Sequence, residues 1–431
     1  MRILKLVLSL LIVFTVIVTA AQETPGLVVN ADESLGPISP FILGSNFSVY
    51  SAIPAALIPQ AQASGVGYLR WGGGFSDERD LEPFMIDTFI INAQLIGAEP
   101  AITVRLREST PEESAEDVRY ANIEKEYNIR YWSIGNEPSL YSGLYDIDYT
   151  TEQYNLEWRA HAEAMLAVDP TIILVGPDVH QYYGVPALNL KDSAGREWVQ
   201  AFLEANGDLV GVVSIHRYPF PRSQANPVIT IEELRQNSRE WDENIIPSLK
   251  AVIQETTGRD IPIAVAEVNS SWANNIAGEA TLDSHYNAIW YADVVGRLIR
   301  QGVMVAGYFD FQRRDASFGL LGGSDVRPSY YTYQMYQRFG TEALASSSDD
   351  LDVGIYAGRR EDGALTLMIV NMALEARTLP LTITGFTASG PAEVWLFDPE
   401  HNAEQLDLVM LGAEISVPGQ SVTLYILPVA S

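Results

Sequence analysis

Two glutamates, 130 residues apart (267 − 137), each close an apolar run. Tyr131-Trp132-Ser133-Ile134-Gly135 leads into Asn136-Glu137-Pro138, and Ile261-Pro262-Ile263-Ala264-Val265-Ala266 leads into Glu267-Val268-Asn269. An apolar run ending in a carboxylate reads as a buried strand meeting a loop. Two carboxyls held about 5–5.5 Å apart provide what cleavage of a glycosidic bond with retention requires. One protonates the departing oxygen, and the other supplies electron density to the forming oxocarbenium ion. The pattern predicts Glu137 as acid/base and Glu267 as nucleophile, with Asn136 hydrogen-bonding the hydroxyl beside the reacting carbon. The structural alternatives are a polar loop or helix cap at Asn136-Glu137 and a solvated or ion-paired residue at Glu267.

Other residues fall where they would serve that pair. In Val213-Ser214-Ile215-His216-Arg217-Tyr218, His216 and Tyr218 alternate onto one side of a strand. The Tyr218 hydroxyl is placed to donate to the nucleophile; the alternative is a core histidine beside a packing tyrosine. Arg70, in Tyr68-Leu69-Arg70-Trp71-Gly72-Gly73, follows an apolar run and must find an anion or reach water. Near Glu267 it would favour the ionised carboxylate; the alternative is a structural ion pair. The glycines after it would let the backbone approach a substrate closely. Asp77 is a candidate for a sugar hydroxyl or else a solvated loop aspartate. Trp71, Trp272 and Phe311 are candidate sugar platforms, because flat rings suit the C–H faces of pyranoses, or else core residues.

These positions require a scaffold that gathers strand ends. Eight apolar runs qualify, at 41–46, 67–71, 101–106, 131–135, 172–176, 210–216, 261–267 and 303–309, most of them separated by helical periodicity. Clear helical stretches are 80–96, 152–168, 231–256 and 282–300. This predicts an α/β protein, a (β/α)₈ TIM barrel over residues 36–340, with Glu137 and Glu267 ending its fourth and seventh strands. A doubly wound open sheet is the rival, but Gly72-Gly73-Gly74 lacks the spacing of a dinucleotide loop. From about residue 351 the periodicity becomes two, with strands at 353–357, 364–371, 379–384, 392–397 and 421–427. A C-terminal β-sandwich over 341–431 follows, joined by an early strand at 26–31.

The formal charge of −28 excludes nucleic acid and anionic membranes as partners and leaves neutral oligo- or polysaccharides. Arg2 and Lys5, an apolar stretch from Leu6 to Val18 and small residues at 19–21 read as a signal peptide over 1–21. An uncleaved anchor is the alternative; with cleavage, a secreted, periplasmic or extracellular protein is expected. The absence of cysteine excludes disulfides, a thiol nucleophile and thiolate metal sites. The five histidines form no H-x-H or H-E-x-x-H pattern, so neither metal nor cofactor is expected. No G-x-S-x-G elbow and no glycine-lysine phosphate loop is present.

At Asn136-Glu137 and Glu267 the chain resembles clan A of the glycoside hydrolases, retaining (β/α)₈ enzymes with an Asn-Glu acid/base on strand four and a nucleophile on strand seven. Leu69-Arg70-Trp71-Gly72-Gly73, Ile134-Gly135-Asn136-Glu137-Pro138, His216-Arg217-Tyr218 and Glu267-Val268-Asn269-Ser270-Ser271 look most like the heparanase and β-glucuronidase family. The β-xylosidase, α-L-arabinofuranosidase and some endoglucanase families have similar runs. The resemblance implies a substrate-binding role for Asn269. Pro219 stands where some relatives have a second tyrosine, and Phe309 and Phe311 where many have tryptophan. The expected function is a secreted retaining glycoside hydrolase; the alternative is a glycan-binding protein without catalysis.

Overall fold

The computed structural model describes residues 25–48, 50–221, 227–273, 276–314 and 317–429; the expected signal at 1–21 lies outside them. After a first strand, β1 (Leu27–Pro37), come β2 (Leu43–Asn46), β3 (Tyr68–Trp71), β4 (Glu99–Val104), β5 (Tyr131–Ile134), β6 (Ile173–Val179), β7 (Val212–Arg217), β8 (Ile263–Val268) and β9 (Val305–Tyr308). Strands β2 to β9 close into a parallel barrel in sequence order, with β2 paired to both β3 and β9. Glu137 therefore follows the fourth barrel strand and Glu267 lies in the seventh.

Helices Pro83–Ile96, Thr151–Val168, Trp198–Asn206 and His285–Arg300 cover the barrel. Their ends obey local rules: Thr150 and Ser284 cap their helices by accepting from backbone N–H groups, and Gly97 closes Pro83–Ile96 in the left-handed region. The expected helix over 231–256 is broken. Helix Ile231–Arg235 stops where Gln236 leaves helical geometry at φ −119°, and a new helix, Ile246–Thr257, begins with Pro247 in its first turn. Between the two, a 3₁₀ turn at Asn237–Arg239 and a π-helical turn at Trp241–Ile245 lead directly into Ile246–Thr257, so the break lies at Gln236, and Pro247, which has no N–H to give, falls beside the widened π turn.

The barrel interior is layered. Its N-terminal end is plugged by Phe41, Tyr68 and Tyr131, with ring centroids 5.5–6.0 Å apart, together with Val175, Val212 and Val305. Above this plug, alternation by two brings Arg70, Ser133 and Ser214 inward, where an ionic layer replaces the apolar one. Polar groups in that layer must pair with one another, because water does not reach them. Glu137 and Glu267 sit on top of it.

The remaining strands, β10 (Glu342–Ser348), β11 (Val353–Arg359), β12 (Leu365–Asn371), β13 (Arg377–Thr384), β14 (Ala392–Asp398), β15 (His401–Val409), β16 (Glu414–Val417) and β17 (Ser421–Leu427), join β1 in a nine-stranded sheet. The sheet curls so that Leu379, Leu381 and Ile415 on one side meet Ile355, Leu367, Val394 and Tyr425 in a shared apolar core, as in a sandwich. β1 pairs antiparallel with β10 and parallel with β13. The opposite face packs on the helix His285–Arg300. There Tyr356 donates to Asp293 at 2.6 Å and Tyr286 donates to the Met372 carbonyl at 2.7 Å. Among the described residues no helix is long and apolar enough to cross a membrane.

Candidate active site

Arg70 is the hub of the barrel mouth. Only 2% exposed, it donates from Nη1 to Asn46 Oδ1 (3.0 Å) and Glu267 Oε1 (2.9 Å), and from Nη2 to Asn136 Oδ1 (3.0 Å) and Asp178 Oδ2 (3.1 Å). A planar guanidinium fork suits this role because its donors diverge at fixed angles. Gly72 makes room for it: a Cβ there would stand 2.3 Å from Arg70 Cζ. Gly72→Ala is accordingly expected to displace the guanidinium, cost about 1–3 kcal/mol by overpacking and lower activity. Thermal unfolding and kcat/KM, measured together on the variant, check this. The adjacent Gly73 has φ +99° and gives its N–H to Asn136 Oδ1 at 3.1 Å, an arrangement that favours glycine.

Glu267 reaches the interior through a bulge. Strict alternation from the inward Ala264 would place Ala266 and Val268, not Glu267, in the barrel. The β7–β8 register jumps from Ile215↔Val265 to His216↔Glu267, which turns the carboxylate inward. Arg70 then holds one oxygen, while the Tyr218 hydroxyl donates to the other at 2.7 Å. Gln181 fixes Tyr218 in turn, accepting from its N–H (3.2 Å) and donating to its carbonyl (2.8 Å).

Glu137 sits on a constrained turn. Gly135 (φ +75°) leaves no room for a Cβ beside Leu106 and the Tyr141 hydroxyl, and Glu137 itself is left-handed at φ 52°. A left-handed non-glycine residue is held only by its surroundings. Here the Glu137 N–H donates to the Asp178 carbonyl (3.1 Å), and the Asn136 N–H donates to Asp77 Oδ2 (2.6 Å). His216 Nδ1 lies 2.8 Å from Glu137 Oε1 and 3.7 Å from Glu267 Oε2. This nitrogen and one oxygen from each glutamate all lie within 4.8 Å of one another. Burial raises the Glu137 carboxyl, the His216 hydrogen bond and charge oppose the rise, and the nearby Glu267 adds to it; the net direction is upward. Burial opposes protonation of His216, but the two glutamates outweigh it and raise the imidazole. Asp178 is the reverse case: burial alone would raise it, yet Arg70, His216 and the Ser214 hydroxyl bring it below its ordinary value.

Beside this pair opens a cavity of about 250 Å³, lined by residues that include Asn46, Gly73, Phe309, Asp310, Arg313 and Phe318. Several sequence expectations are corrected here. Phe311 is fully buried and packs edge-on to Phe47, so it is a core residue; Phe309, two positions earlier and half-buried, is the ring on the cavity wall. Trp71 is 3% exposed and packs behind Tyr50, so it too is not an open platform. Asp77 is neither solvated nor free for a sugar: it is 1% exposed and accepts the N–H groups of Asn136 and Leu106. Asn269 is committed to structure, donating to the Phe309 carbonyl (2.8 Å) and accepting from Asn287 (3.1 Å). Trp272 is 56% exposed and outside the cavity lining. Arg70, Asn136, His216 and Tyr218 do converge with Glu137 and Glu267. His216, however, is fully buried and meets Glu137, so it positions the carboxyl instead of lining the cavity.

Asp178 and Asn46 went unread in the sequence, although both end barrel strands in polar residues; Asp178 is turned inward by a left-handed φ of 50° within a register shift. Among the described residues, Glu137, His216 and Glu267 form a group close enough to share a metal ion. The set fits a cation poorly, since the Arg70 guanidinium already occupies Glu267 at 2.9 Å and would repel it.

No family model matches the chain. Over 217 residues, 36% of this chain and 42% of the relative, it is 26% identical to a probable alpha-L-arabinofuranosidase C of Aspergillus clavatus. Over 225 residues, 38% of this chain and 44% of the relative, it is 24% identical to alpha-L-arabinofuranosidase C of Emericella nidulans. The match thus spans less than half the length of these curated relatives. Among solved structures, an alpha-L-arabinofuranosidase of Thermotoga maritima in complex with arabinose superposes with a TM-score of 0.72 at 19% identity, covering 94% of this chain and 100% of that one. A Paenibacillus polymyxa xyloglucanase of glycoside hydrolase family 44 superposes at 0.71 with 14% identity, covering 94% and 99%. CelM2, a bifunctional glucanase-xylanase from a metagenome library, superposes at 0.73 with 19% identity over the same shares, so this chain has the barrel-and-sheet fold of these glycoside hydrolases.

Proposed function

We propose that the protein is a retaining glycoside hydrolase acting on O-glycosidic bonds of a plant-type oligo- or polysaccharide. The observation that carries this reading is the pair of glutamates at the barrel mouth, with oxygens within 4.8 Å of one another. A gap of that size between their nearer oxygens supports double displacement, for which the carboxyl groups stand about 5–5.5 Å apart, over the roughly 6.5–9.5 Å of an inverting enzyme. Glu267, oriented by Arg70 and Tyr218, attacks the anomeric carbon. Glu137, raised by burial, is protonated more readily than an exposed carboxyl and delivers its proton to the leaving oxygen. The glycosyl–enzyme ester on Glu267 is then opened by water, from which Glu137 takes a proton. Asn136, its oxygen held by Arg70 and Gly73, is left to address the sugar through its amide N–H groups.

The named relatives point to α-L-arabinofuranosides, xylosides and glucans as the first substrates to try, and none of them is a glucuronidase. The run Leu6–Val18 supports an exported enzyme, in keeping with a polymeric substrate outside the cell. The test is turnover of an aryl glycoside panel, with the product anomer followed by NMR in the first minutes. Release of the sugar with the configuration of the substrate is expected; the opposite anomer overturns the two-step mechanism. Binding without turnover on any member would favour a glycan-binding protein instead.

A further inference from the structure

The loop after β9 brings a buried acid and a cation to the cavity wall. Asp310, 2% exposed, accepts through Oδ2 from Arg313 Nε at 2.9 Å and lies 2.6 Å from Arg313 Nη2. Its second oxygen, Oδ1, is buried with no hydrogen-bond partner. Such an oxygen is costly to leave unpaired and marks a place where a donor is missing. Arg313 lies over the rings of Phe309 (5.9 Å) and Phe318 (5.1 Å), which limits its motion. Its guanidinium carries five N–H groups, more than the pairing with Asp310 consumes. All four side chains line the cavity beside the glutamate pair.

We propose that Asp310 Oδ1 and the Arg313 guanidinium bind neighbouring hydroxyls of a neutral sugar seated against Phe309, and so determine which sugars the site accepts. An acceptor beside a donor matches two adjacent hydroxyls, one giving and one receiving a hydrogen bond. Charge excludes the acidic counterpart. Arg313 is the only cation among the described residues lining this cavity, and Asp310, whose carboxyl is pushed up to about 7 by burial, neutralises it above that pH; Glu78 adds a further negative group. Arg70, behind the wall, is already shared among four acceptors. A uronate would therefore set its carboxylate near Asp310 and Glu267 without an unneutralised partner, a repulsive form of specificity. The inference rests on the glycosidase reading and assigns its substrate class.

The experiment crosses Asp310→Asn with substrate analogues. Wild type and variant are assayed on the accepted aryl glycoside, on its singly deoxygenated forms and on the matching aryl uronide. The variant is expected to lose about 10- to 100-fold in kcat/KM on the parent sugar, and little on the one deoxy analogue that lacks the bound hydroxyl. Its ratio of uronide to neutral activity should rise, because Arg313 is no longer neutralised. Arg313→Lys, which keeps charge but loses the fork, should show the same selective loss at a neighbouring hydroxyl. Equal losses on every analogue by variants with wild-type thermal unfolding overturn the proposal, as does a wild type that prefers the uronide. A wild type inert on every glycoside overturns the glycosidase reading itself, and is thereby distinguished from failure of this one.

Discussion

Glu267→Ala is expected to reduce turnover by on the order of 10⁴-fold or more, the scale seen when a covalent nucleophile is removed. Among the described residues no nearby carboxylate takes its place. Asp178 faces the other arm of Arg70, and Asp310 is paired with Arg313. The substitution also removes one of the two carboxylates paired with buried Arg70; Asp178 still compensates the charge, so the stability loss stays below the about 3–5 kcal/mol of a fully broken buried pair. Glu267→Gln separates the two effects, since an amide fills the same space, its oxygen still accepts from Arg70, and its NH2 can donate to a Tyr218 hydroxyl turned to accept. It should fold with a smaller loss of thermal stability and remain just as inactive. Added azide should restore product formation in Glu267→Ala, entering the vacated face to give a glycosyl azide of inverted anomeric configuration. Near-native turnover by either variant would remove Glu267 from the role of nucleophile.

The barrel was legible because its strands are buried on both faces and read as unbroken apolar runs. All eight appear within a few residues of their expected places, from 131–135 against Tyr131–Ile134 to 303–309 against Val305–Tyr308. Periodicity was less informative where the chain restarts. The 231–256 stretch keeps a helical rhythm of apolar residues because the chain is helical on both sides of Gln236, and apolar spacing does not register the break there. In the second sheet, β15 was unread because it is an edge strand with largely exposed residues and so carries no alternation.

At the site, the residue types were legible but their directions were not. Glu267 and Asp178 point inward through a bulge and a left-handed residue, features that period-two reasoning cannot place. The choice of Phe311 over Phe309 failed for a related reason. Phe311 leaves the barrel to pair its N–H with the Asn46 carbonyl, which buries its ring, while Phe309 stays at the rim. Asn269 lies two residues after Glu267 and Asp77 just beyond Arg70 and its glycines, positions that suggest ligands for sugar. They serve one step further out, holding the backbones on which Asn136 and Phe309 sit.

Glu137→Gln should act through the leaving group. Proton donation contributes about 10²–10⁴-fold, so glycosides with alkoxide leaving groups should lose that factor in kcat/KM. A dinitrophenyl glycoside, whose leaving group departs without a proton, should lose far less at the first step and then stall at the ester on Glu267, seen as a burst. The pH profile carries the same assignment. Glu137 must be protonated in the first step, so kcat/KM falls as pH rises through its pKa. Burial places that pKa above the ordinary carboxylate value, so the alkaline limb lies at correspondingly higher pH. His216 works against this shift through its hydrogen bond and its charge. Its replacement in His216→Asn removes the charge, and the alkaline limb should move further up. A limb that stays in place in His216→Asn, or survives unchanged in Glu137→Gln, would assign the titration to another group.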